Sequence, residues 1–200
     1  MNDMHLALHG VAIKKHAAAA VVADAVGLTA GRAAALLAEA AVGGRVVEAQ
    51  GAYALTPAGR LILDNQYSRF YDSLREDQAF ISAYERFERV NVELKQIITD
   101  WQTLDVGGQK VRNDHSNREY DGEVLDRLGD VHERFEPILA QLIRGLPRLA
   151  VYRHKLERAL EEAESGNVQW VSDARTESYH TVWFEMHEDL LRVLGRVREE

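Results

Sequence analysis

The chain contains no cysteine, and this absence excludes several kinds of chemistry. Disulfide bonds, thiolate zinc sites and a cysteine nucleophile are ruled out, and the composition agrees with a reducing compartment. Long apolar runs are absent too, since no stretch approaches the roughly 18 apolar residues that a membrane span requires. We therefore expect a cytoplasmic protein that makes no contact with a membrane.

Basic residues are scarce relative to acidic ones. The 24 lysines and arginines face 32 aspartates and glutamates, which gives a formal net charge of −8. Hydrophobic residues make up 46% of the chain and charged residues 28%, as is typical of a globular protein rather than a disordered one. The 200 residues are enough for one or two domains with a substantial core.

Sequence signatures of common enzymes are missing as well. The chain has no GxGxxG motif, P-loop, kinase signature, HExxH motif or nucleophile elbow. Asp114, His115 and Ser116 have the residue types of a hydrolytic triad, but adjacent residues rarely reach triad geometry. We predict that the protein is not an enzyme, has no catalytic residues and needs no cofactor.

The segment from residue 27 to residue 60 has the clearest pattern. Thr29 is a good helix N-cap, because its hydroxyl can accept a hydrogen bond from an unpaired backbone amide. The apolar residues that follow share one helix face at i, i+3, i+4, i+7 and i+8: Ala33, Leu36, Leu37, Ala40 and Ala41. Gly43 and Gly44 then end this helix.

A short β-hairpin is predicted next. The β-prone runs 45–49 and 52–56 flank a tight Gln-Gly turn at 50–51. Thr56 and Pro57 then begin a new helix, with threonine as the cap and proline at the first helical position, where no amide donor is missed. The order of elements is therefore helix, hairpin, helix.

Two further helices, at 4–16 and 17–26, are predicted before this segment. Residues 1–66 are thus predicted to form a winged helix-turn-helix of three helices plus a two-stranded wing. The run YALTPAGRL at 53–61 resembles the x-L-T-x-x-G-R-x-L motif at the end of the wing in MarR-like bacterial regulators. Its final leucine, Leu61, comes one position early, and another apolar residue, Ile62, stands at the position of the motif's last leucine. This resemblance covers the first third of the chain. It implies a transcriptional regulator whose third helix binds DNA.

DNA binding by this domain would depend on few basic side chains. The outward positions of the third helix are predicted to be Gly31, Arg32, Ala35 and Glu39. The candidate DNA contacts are Arg32, Lys14, Lys15 and Arg45. Residues 1–66 contain five basic and five acidic side chains, so the domain is neutral. The alternative is an accessory module that binds another protein and not DNA, because a fold alone does not determine function.

Residues 67–200 are predicted to form an all-helical domain with five or six helices and no further strand. The predicted helices after the wing are 57–75, 80–101, 121–134, 137–144, 148–164 and 176–197. The stretch 105–120, DVGGQKVRNDHSNREY, has no apolar period and is predicted to be a long loop, functional or disordered. This domain is similar to helical segments that accompany phosphohistidine domains of PEP-utilising enzymes. The similarity implies such an enzyme as a candidate protein partner.

Aromatic residues on the helix at 57–75 predict a homodimer. Tyr67, Phe70, Tyr71 and Leu74 make this helix more aromatic than a single exposed face should be. Large exposed apolar patches usually mark interfaces. Packing of the same side chains within their own bundle is the alternative explanation.

The last predicted helix places two histidines on one face beside large aromatic residues. Paired histidines on a buried face can bind a metal, hold an anionic ligand or hydrogen-bond a neighbouring helix. A di-iron site needs two Glu-x-x-His units and two more glutamates, and only Glu177 to His180 matches. A metal site of one aspartate and three histidines could form from Asp114, His115, His180 and His187. It would require the predicted loop at 105–120 to fold back onto this helix. We predict no metal site.

The ligand hypothesis places a polar pocket beside the last helix. Its candidate residues are Asp100, Asp114, His115, His180, Trp183 and His187. We expect both histidines of the last helix to be largely buried, with at least one lying near Asp100, Asp114 or His115. An aspartate partner would favour an imidazolium and a small anionic ligand, whereas a backbone carbonyl partner would make the pair structural. The predicted protein is a regulator with a ligand-sensing or dimerising helical domain.

Overall fold

A computed structural model describes residues 2–197 and confirms that the chain is mainly helical. The helices are α1 Asp3–Lys14, α2 Ala19–Val26, α3 Ala30–Val42, α4 Pro57–Glu76, α5 Gln78–Gln102, α6 Arg118–Gly145, α7 Ala150–Glu164, α8 Gln169–Ser172 and α9 Tyr179–Leu194. The strands are β1 Val46–Ala49, β2 Ala52–Leu55, β3 Thr103–Val106 and β4 Gln109–Arg112. A 3₁₀ turn, Pro147–Leu149, precedes α7.

The chain divides into two compact units. The first unit contains the residues up to Asp77 and those from His187 onward, and the second unit runs from Gln78 to Met186. These units differ from the division expected at residue 66, which lies inside α4. Helix α9 contributes its first half to the second unit and its second half to the first unit.

The first unit has the caps and turn that the sequence predicts. The Thr29 hydroxyl accepts a hydrogen bond from the amide of Arg32 at 3.3 Å, and the Thr56 hydroxyl accepts one from the amide of Gly59 at 2.9 Å. Gln50 and Gly51 both have positive φ, 53° and 79°, as the two central residues of a type I′ hairpin turn require. These predictions are confirmed.

Strands β1 and β2 form an antiparallel hairpin that a third segment extends. The hairpin register pairs Val46 with Leu55 and Ala49 with Ala52. Ala17, between α1 and α2, forms an isolated antiparallel bridge with Tyr53 of β2. The amide of Ala17 donates to the carbonyl of Tyr53 at 3.2 Å, and the amide of Tyr53 donates back at 2.8 Å. The outer edge of β2 is therefore paired at this point.

The aromatic face of α4 is largely buried in the structure. Tyr67 and Tyr71 are 4% and 2% exposed, and Phe70 packs its ring 4.8 Å from the ring of His5 in α1. Packing within the chain therefore accounts for these aromatic residues. The homodimer stays a prediction, but its original argument from an exposed aromatic face no longer holds.

The prediction that the later domain is all-helical was wrong. Strands β3 and β4 form a second antiparallel hairpin that begins two residues before the stretch expected to be a loop, with Thr103 paired to Arg112 and Val106 paired to Gln109. The turn uses Gly107 and Gly108, which have φ of 65° and 84°. The sequence carried a signal, since Thr103 to Val106 alternates polar and apolar residues before a Gly-Gly turn, but both strands are largely exposed, so this alternation is short.

The prediction of separate helices at 121–134 and 137–144 was also wrong. Helix α6 is continuous from Arg118 to Gly145, with Pro137 inside it. Proline normally begins or breaks a helix because it lacks an amide hydrogen. Apolar side chains on both sides of it are fully or largely buried, and their packing holds the helix together: Val131, Phe135, Ile138, Leu139 and Leu142.

An aromatic cluster forms part of the core of the second unit. The ring of Trp183 in α9 lies 5.1 Å from the ring of Phe87 in α5 and 4.5 Å from the ring of Phe135 in α6. The Trp183 indole donates to the side-chain oxygen of the buried Asn91 at 3.0 Å. These contacts join the first half of α9 to α5 and α6.

No single helix among residues 2–197 is both long and apolar enough to cross a membrane. Helices α2 and α3 meet the length and apolarity requirement only when taken together, and they are bent by 114° relative to each other.

Candidate functional site

The exposed face of α3 is made almost entirely of small residues. Gly31, Arg32, Ala35 and Glu39 are all exposed, as predicted, and Ala34, Ala38 and Val42 join them. Val42 at the end of the helix is 93% exposed. Arg32 is the only basic side chain on this helix, because the remaining exposed positions are alanine, glycine, valine and one glutamate.

Arg32 is engaged by an acidic residue of α1. Its Nε donates to Oδ2 of Asp3 at 2.8 Å, and the two side chains remain 54% and 45% exposed. Ion pairs at this level of exposure typically contribute about 0–1 kcal/mol to stability. The pair is therefore weak enough for a stronger anionic partner of Arg32 to displace Asp3.

The other candidate DNA contacts lie away from Arg32. Asp3 begins α1 and Lys14 ends it, so Lys14 and Lys15 lie about 16 Å along the helix axis from the Arg32 ion pair. Arg45 follows the glycines that end α3, whereas Arg32 lies in its first turn. The four residues are thus spread over the first unit and do not form one basic cluster.

The candidate ligand residues of α9 are dispersed. His187 is 3% exposed and belongs to the first unit, whereas His180 and Trp183 belong to the second. His180 is half-buried, and burial lowers its pKa. No hydrogen bond or ring contact in the described part of the chain joins His180 to Asp100, Asp114 or His115. Among residues 2–197, the hydrogen bonds and ring contacts therefore do not bring His180 together with these three candidates.

The 105–120 stretch instead builds a polar cluster within the second unit. His115 Nδ1 lies 3.0 Å from Oδ2 of Asp121, the fourth residue of α6. Asn113 is 3% exposed, and its amide donates to Oδ1 of Asp121 at 2.8 Å and to the carbonyl of Trp101 at 3.0 Å. The Asn113 side-chain oxygen accepts from the amide of His115 at 3.0 Å. The side chains of Asn113, His115 and Asp121 thus hold one another in position.

The backbone at His115 is in an unusual conformation. Its φ is 60°, in the left-handed region that residues other than glycine seldom adopt. Such conformations persist where surrounding contacts fix them, and they are concentrated at functional sites. The Asn113 hydrogen bond and the Trp101 ring, whose centroid is 4.6 Å from that of His115, supply those contacts here.

The imidazole of His115 faces a cavity of about 510 Å³ in the second unit. A carboxylate can only accept hydrogen bonds, so the ring nitrogen beside Asp121 carries the hydrogen in that contact. The other nitrogen, Nε2, has no hydrogen-bond partner among residues 2–197. The cavity is lined by Trp101, Gln102, Arg112, Asn113, His115, Val168, Gln169, Ser172 and Asp173.

Two of the predicted ligand residues lie near this cluster without lining the cavity. The backbone carbonyl of Asp100 accepts from the Tyr120 hydroxyl at 2.9 Å, and the Asp100 carboxylate pairs with Arg127 at 2.9 Å. Asp114 is exposed, and a hydrogen bond from Ser116 lowers the pKa of its carboxyl. Of the six candidates, only His115 lines the cavity.

Sequence reasoning missed the other polar residues of the cavity and of the cluster beside it. Asp121 was assigned to an ordinary helix start, and Arg112 and Asn113 were assigned to a loop. A signal was present, since Asn113, His115 and Asp121 lie within nine residues and Asn117 is a good N-cap for α6. Asp173 comes from a distant part of the chain, and no local pattern places it beside His115.

A second buried network lies in the first unit. His9 in α1 is completely buried, with Nδ1 2.6 Å from the Tyr67 hydroxyl and Nε2 2.9 Å from Oδ1 of Asp189 in α9. Asp189 is also completely buried. Since 180 residues separate His9 from Asp189, no sequence pattern could have shown this pair. It ties the second half of α9 to α1 and α4.

Comparison with family models, with curated proteins and with solved structures gave no match for this chain. Within residues 2–197, no group of three or more histidine, aspartate or glutamate side chains is arranged to hold a metal ion.

Proposed function

We propose that the first unit is a winged helix-turn-helix and that the protein is a transcriptional regulator. The observation that carries this proposal is the bridge between Ala17 and Tyr53. It gives the segment between α1 and α2 the position of a short edge strand beside the β1–β2 hairpin. With α1, α2 and α3 before the hairpin, the order of elements is the one that a winged helix requires.

DNA binding by α3 is proposed to centre on Arg32. An arginine can bind a phosphate or a guanine edge, and the exposed alanines around Arg32 leave room for the helix to approach a groove closely. Lys14, Lys15 and Arg45 lie farther away and would contact separate phosphates. We expect weak binding, because few basic groups release few counterions.

A salt titration of the whole protein against a mixed-sequence DNA duplex tests this function. Two or three phosphate contacts per protomer predict a slope of log K against log salt of about −2 to −3. The variant Arg32→Ala should lose most of the binding. The matched control is Arg69→Ala, which removes an exposed arginine of α4 and should leave the affinity nearly unchanged. Equal losses in both variants would show that α3 is not the DNA-binding surface.

A second candidate function is docking to another protein through α3. The exposed alanines of this helix and Val42 favour it, because they supply no groups that read bases and allow close helix packing. The same titration separates the two functions. If the wild-type protein shows no salt-dependent affinity for DNA, protein docking is the better account of α3.

The second unit is proposed to be the sensing part of the regulator. Its cavity beside His115 lies within the range of about 300–1,000 Å³ that small-molecule sites usually occupy. A homodimer remains part of the proposal, since regulators of this kind bind paired half-sites through two copies of the recognition helix.

A further inference from the structure

We propose that the cavity beside His115 binds a small zwitterion, of the class of the α-amino acids. This inference rests on the proposal that the second unit is the sensing part and names the class of ligand for its cavity, and it is independent of whether the first unit binds DNA. It stands on three groups that line the same cavity: Arg112, Asp173 and His115.

The cavity wall carries one positive and one negative side chain that do not neutralise each other. The Arg112 guanidinium makes no ion pair with any residue in the range 2–197. Asp173 accepts a hydrogen bond from the amide of Arg175 at 2.6 Å through Oδ1 and makes no ion pair in the same range. A ligand with both a carboxylate and an ammonium group matches this arrangement better than an ion of one sign.

Arg112 is suited to the carboxylate of the ligand. Its guanidinium can donate two parallel hydrogen bonds to the two carboxylate oxygens, which fixes the orientation as well as the position of the group. A dianion such as a phosphate monoester fits less well, because one arginine must neutralise two charges beside the carboxylate of Asp173.

Asp173 is suited to the ammonium group, because its carboxylate is an acceptor with a full negative charge. The carboxylate of Asp121 lies 3.0 Å from Nδ1 of His115, so Nε2 is the ring nitrogen of His115 that is left for the ligand. The buried hydrogen bonds of Asn113 hold His115 and Asp121 in place, so this part of the site is formed before any ligand arrives.

The apolar wall leaves room for a side chain on the ligand. Trp101 and Val168 line the cavity beside the polar groups, and the volume of about 510 Å³ exceeds what a bare amino-acid backbone fills. Gln102, Gln169 and Ser172 add neutral polar groups.

Thermal unfolding of the full chain with each of the common amino acids in turn tests this proposal. At about ten times its Kd, a bound amino acid should raise the Tm by about 3–6 °C. The same amino acid with its amine acetylated, or with its carboxylate converted to an amide, should give no shift. No saturable shift with any amino acid up to about 10 mM, or an equal shift with the acetylated form, would overturn the proposal.

Paired variants connect the shift to the cavity. Arg112→Gln and Asp173→Asn should abolish the ligand-induced shift while leaving the Tm of the free protein nearly unchanged, because both side chains are exposed. The matched controls are Lys110→Gln in the same strand and Asp126→Asn in α6, which make the same charge changes outside the cavity. A shift that survives Arg112→Gln and Asp173→Asn would also overturn the proposal, since the ligand would then be bound elsewhere.

Discussion

Gly59 occupies a position in α4 that no larger residue can take. A Cβ atom at this position would overlap the carbonyl oxygen of Arg45 and lie 2.7 Å from its carbonyl carbon. The contact is close because the amide of Thr56 donates to the same carbonyl, which brings the start of α4 against the start of the hairpin. The glycine of the YALTPAGRL motif is thus explained by packing.

Gly59→Ala should destabilise the first unit by about 1–3 kcal/mol, because backbone must shift to relieve the overlap. Gly31→Ala is the matched control, since Gly31 is also helical but a Cβ there would meet no atom within 4 Å. That change should stabilise α3 by about 0.4–1 kcal/mol through its lower unfolded-state entropy. Urea unfolding of both variants checks the prediction. Shifts of the same sign in the two variants would contradict it.

Single residues of the first unit were predictable where the chemistry is local. Thr29 and Thr56 cap their helices as expected, and the Gln-Gly pair forms the expected turn. Each of these depends on neighbours within four residues. The pairing of Arg32 with Asp3 was not predictable in this way, because it depends on how α1 and α3 pack.

At the scale of elements, the errors fall where side-chain periodicity carries little information. The β3–β4 hairpin is largely exposed, so only the four-residue alternation Thr103–Val106 and the Gly-Gly turn marked it within a polar stretch. Helix α6 continues through Pro137 because buried residues such as Phe135 and Leu139 outweigh the local preference to break. The periodicity of apolar residues indicates which face of an element is buried, so it is a weak guide for an element that has no buried face. Local signals such as a proline also mislead where tertiary packing outweighs them.

Helix α9 shows how burial changes the chemistry of a predicted site residue. His180 was expected to share a ligand pocket, but it lies apart from His115, and burial lowers its pKa. A histidine with a lowered folded pKa is neutral in the folded chain while the unfolded chain takes up a proton. Its contribution to stability is fully present above its ordinary pKa of about 6.5 and is lost as the pH falls through the lowered folded pKa.

Replacing His180 should therefore flatten the pH dependence of stability. We expect the free energy of unfolding of His180→Gln to fall less than that of the wild type between about pH 7.5 and about pH 5.5. His154→Gln is the control, because it makes the same substitution at an exposed position of α7. Urea unfolding at three pH values measures the slopes. An unchanged slope in His180→Gln would contradict the prediction.

At the scale of the whole molecule, the chain does not divide at one point. The second half of α9 belongs to the first unit, where Asp189 binds His9. Composition shifts and turn signals report local boundaries, so they predicted a division at residue 66. They could not show that His187 and the residues of α9 after it belong to the first unit. Likewise, the cavity beside His115 joins strand β4 to residues of α8, about sixty positions later.

Charge is also distributed unevenly over the molecule. The net charge of −8 falls on residues 67–200, since residues 1–66 have five basic and five acidic side chains. The net charge therefore supplies no long-range attraction to DNA, and the proposed binding would depend on short-range contacts of a few side chains. Asp3 would compete directly for Arg32, which is central to that proposal.

The affinity of Asp3→Asn for a mixed-sequence DNA duplex at low salt tests the central claim most directly. The change frees Arg32 from its ion pair, so we expect binding about two- to five-fold tighter than that of the wild type. Asp72→Asn makes the same charge change at an exposed position of α4 and should have a much smaller effect. In Asp3→Asn combined with Arg32→Ala the gain should disappear. Equal gains from Asp3→Asn and Asp72→Asn, or a gain that persists without Arg32, would contradict the proposal that α3 binds DNA.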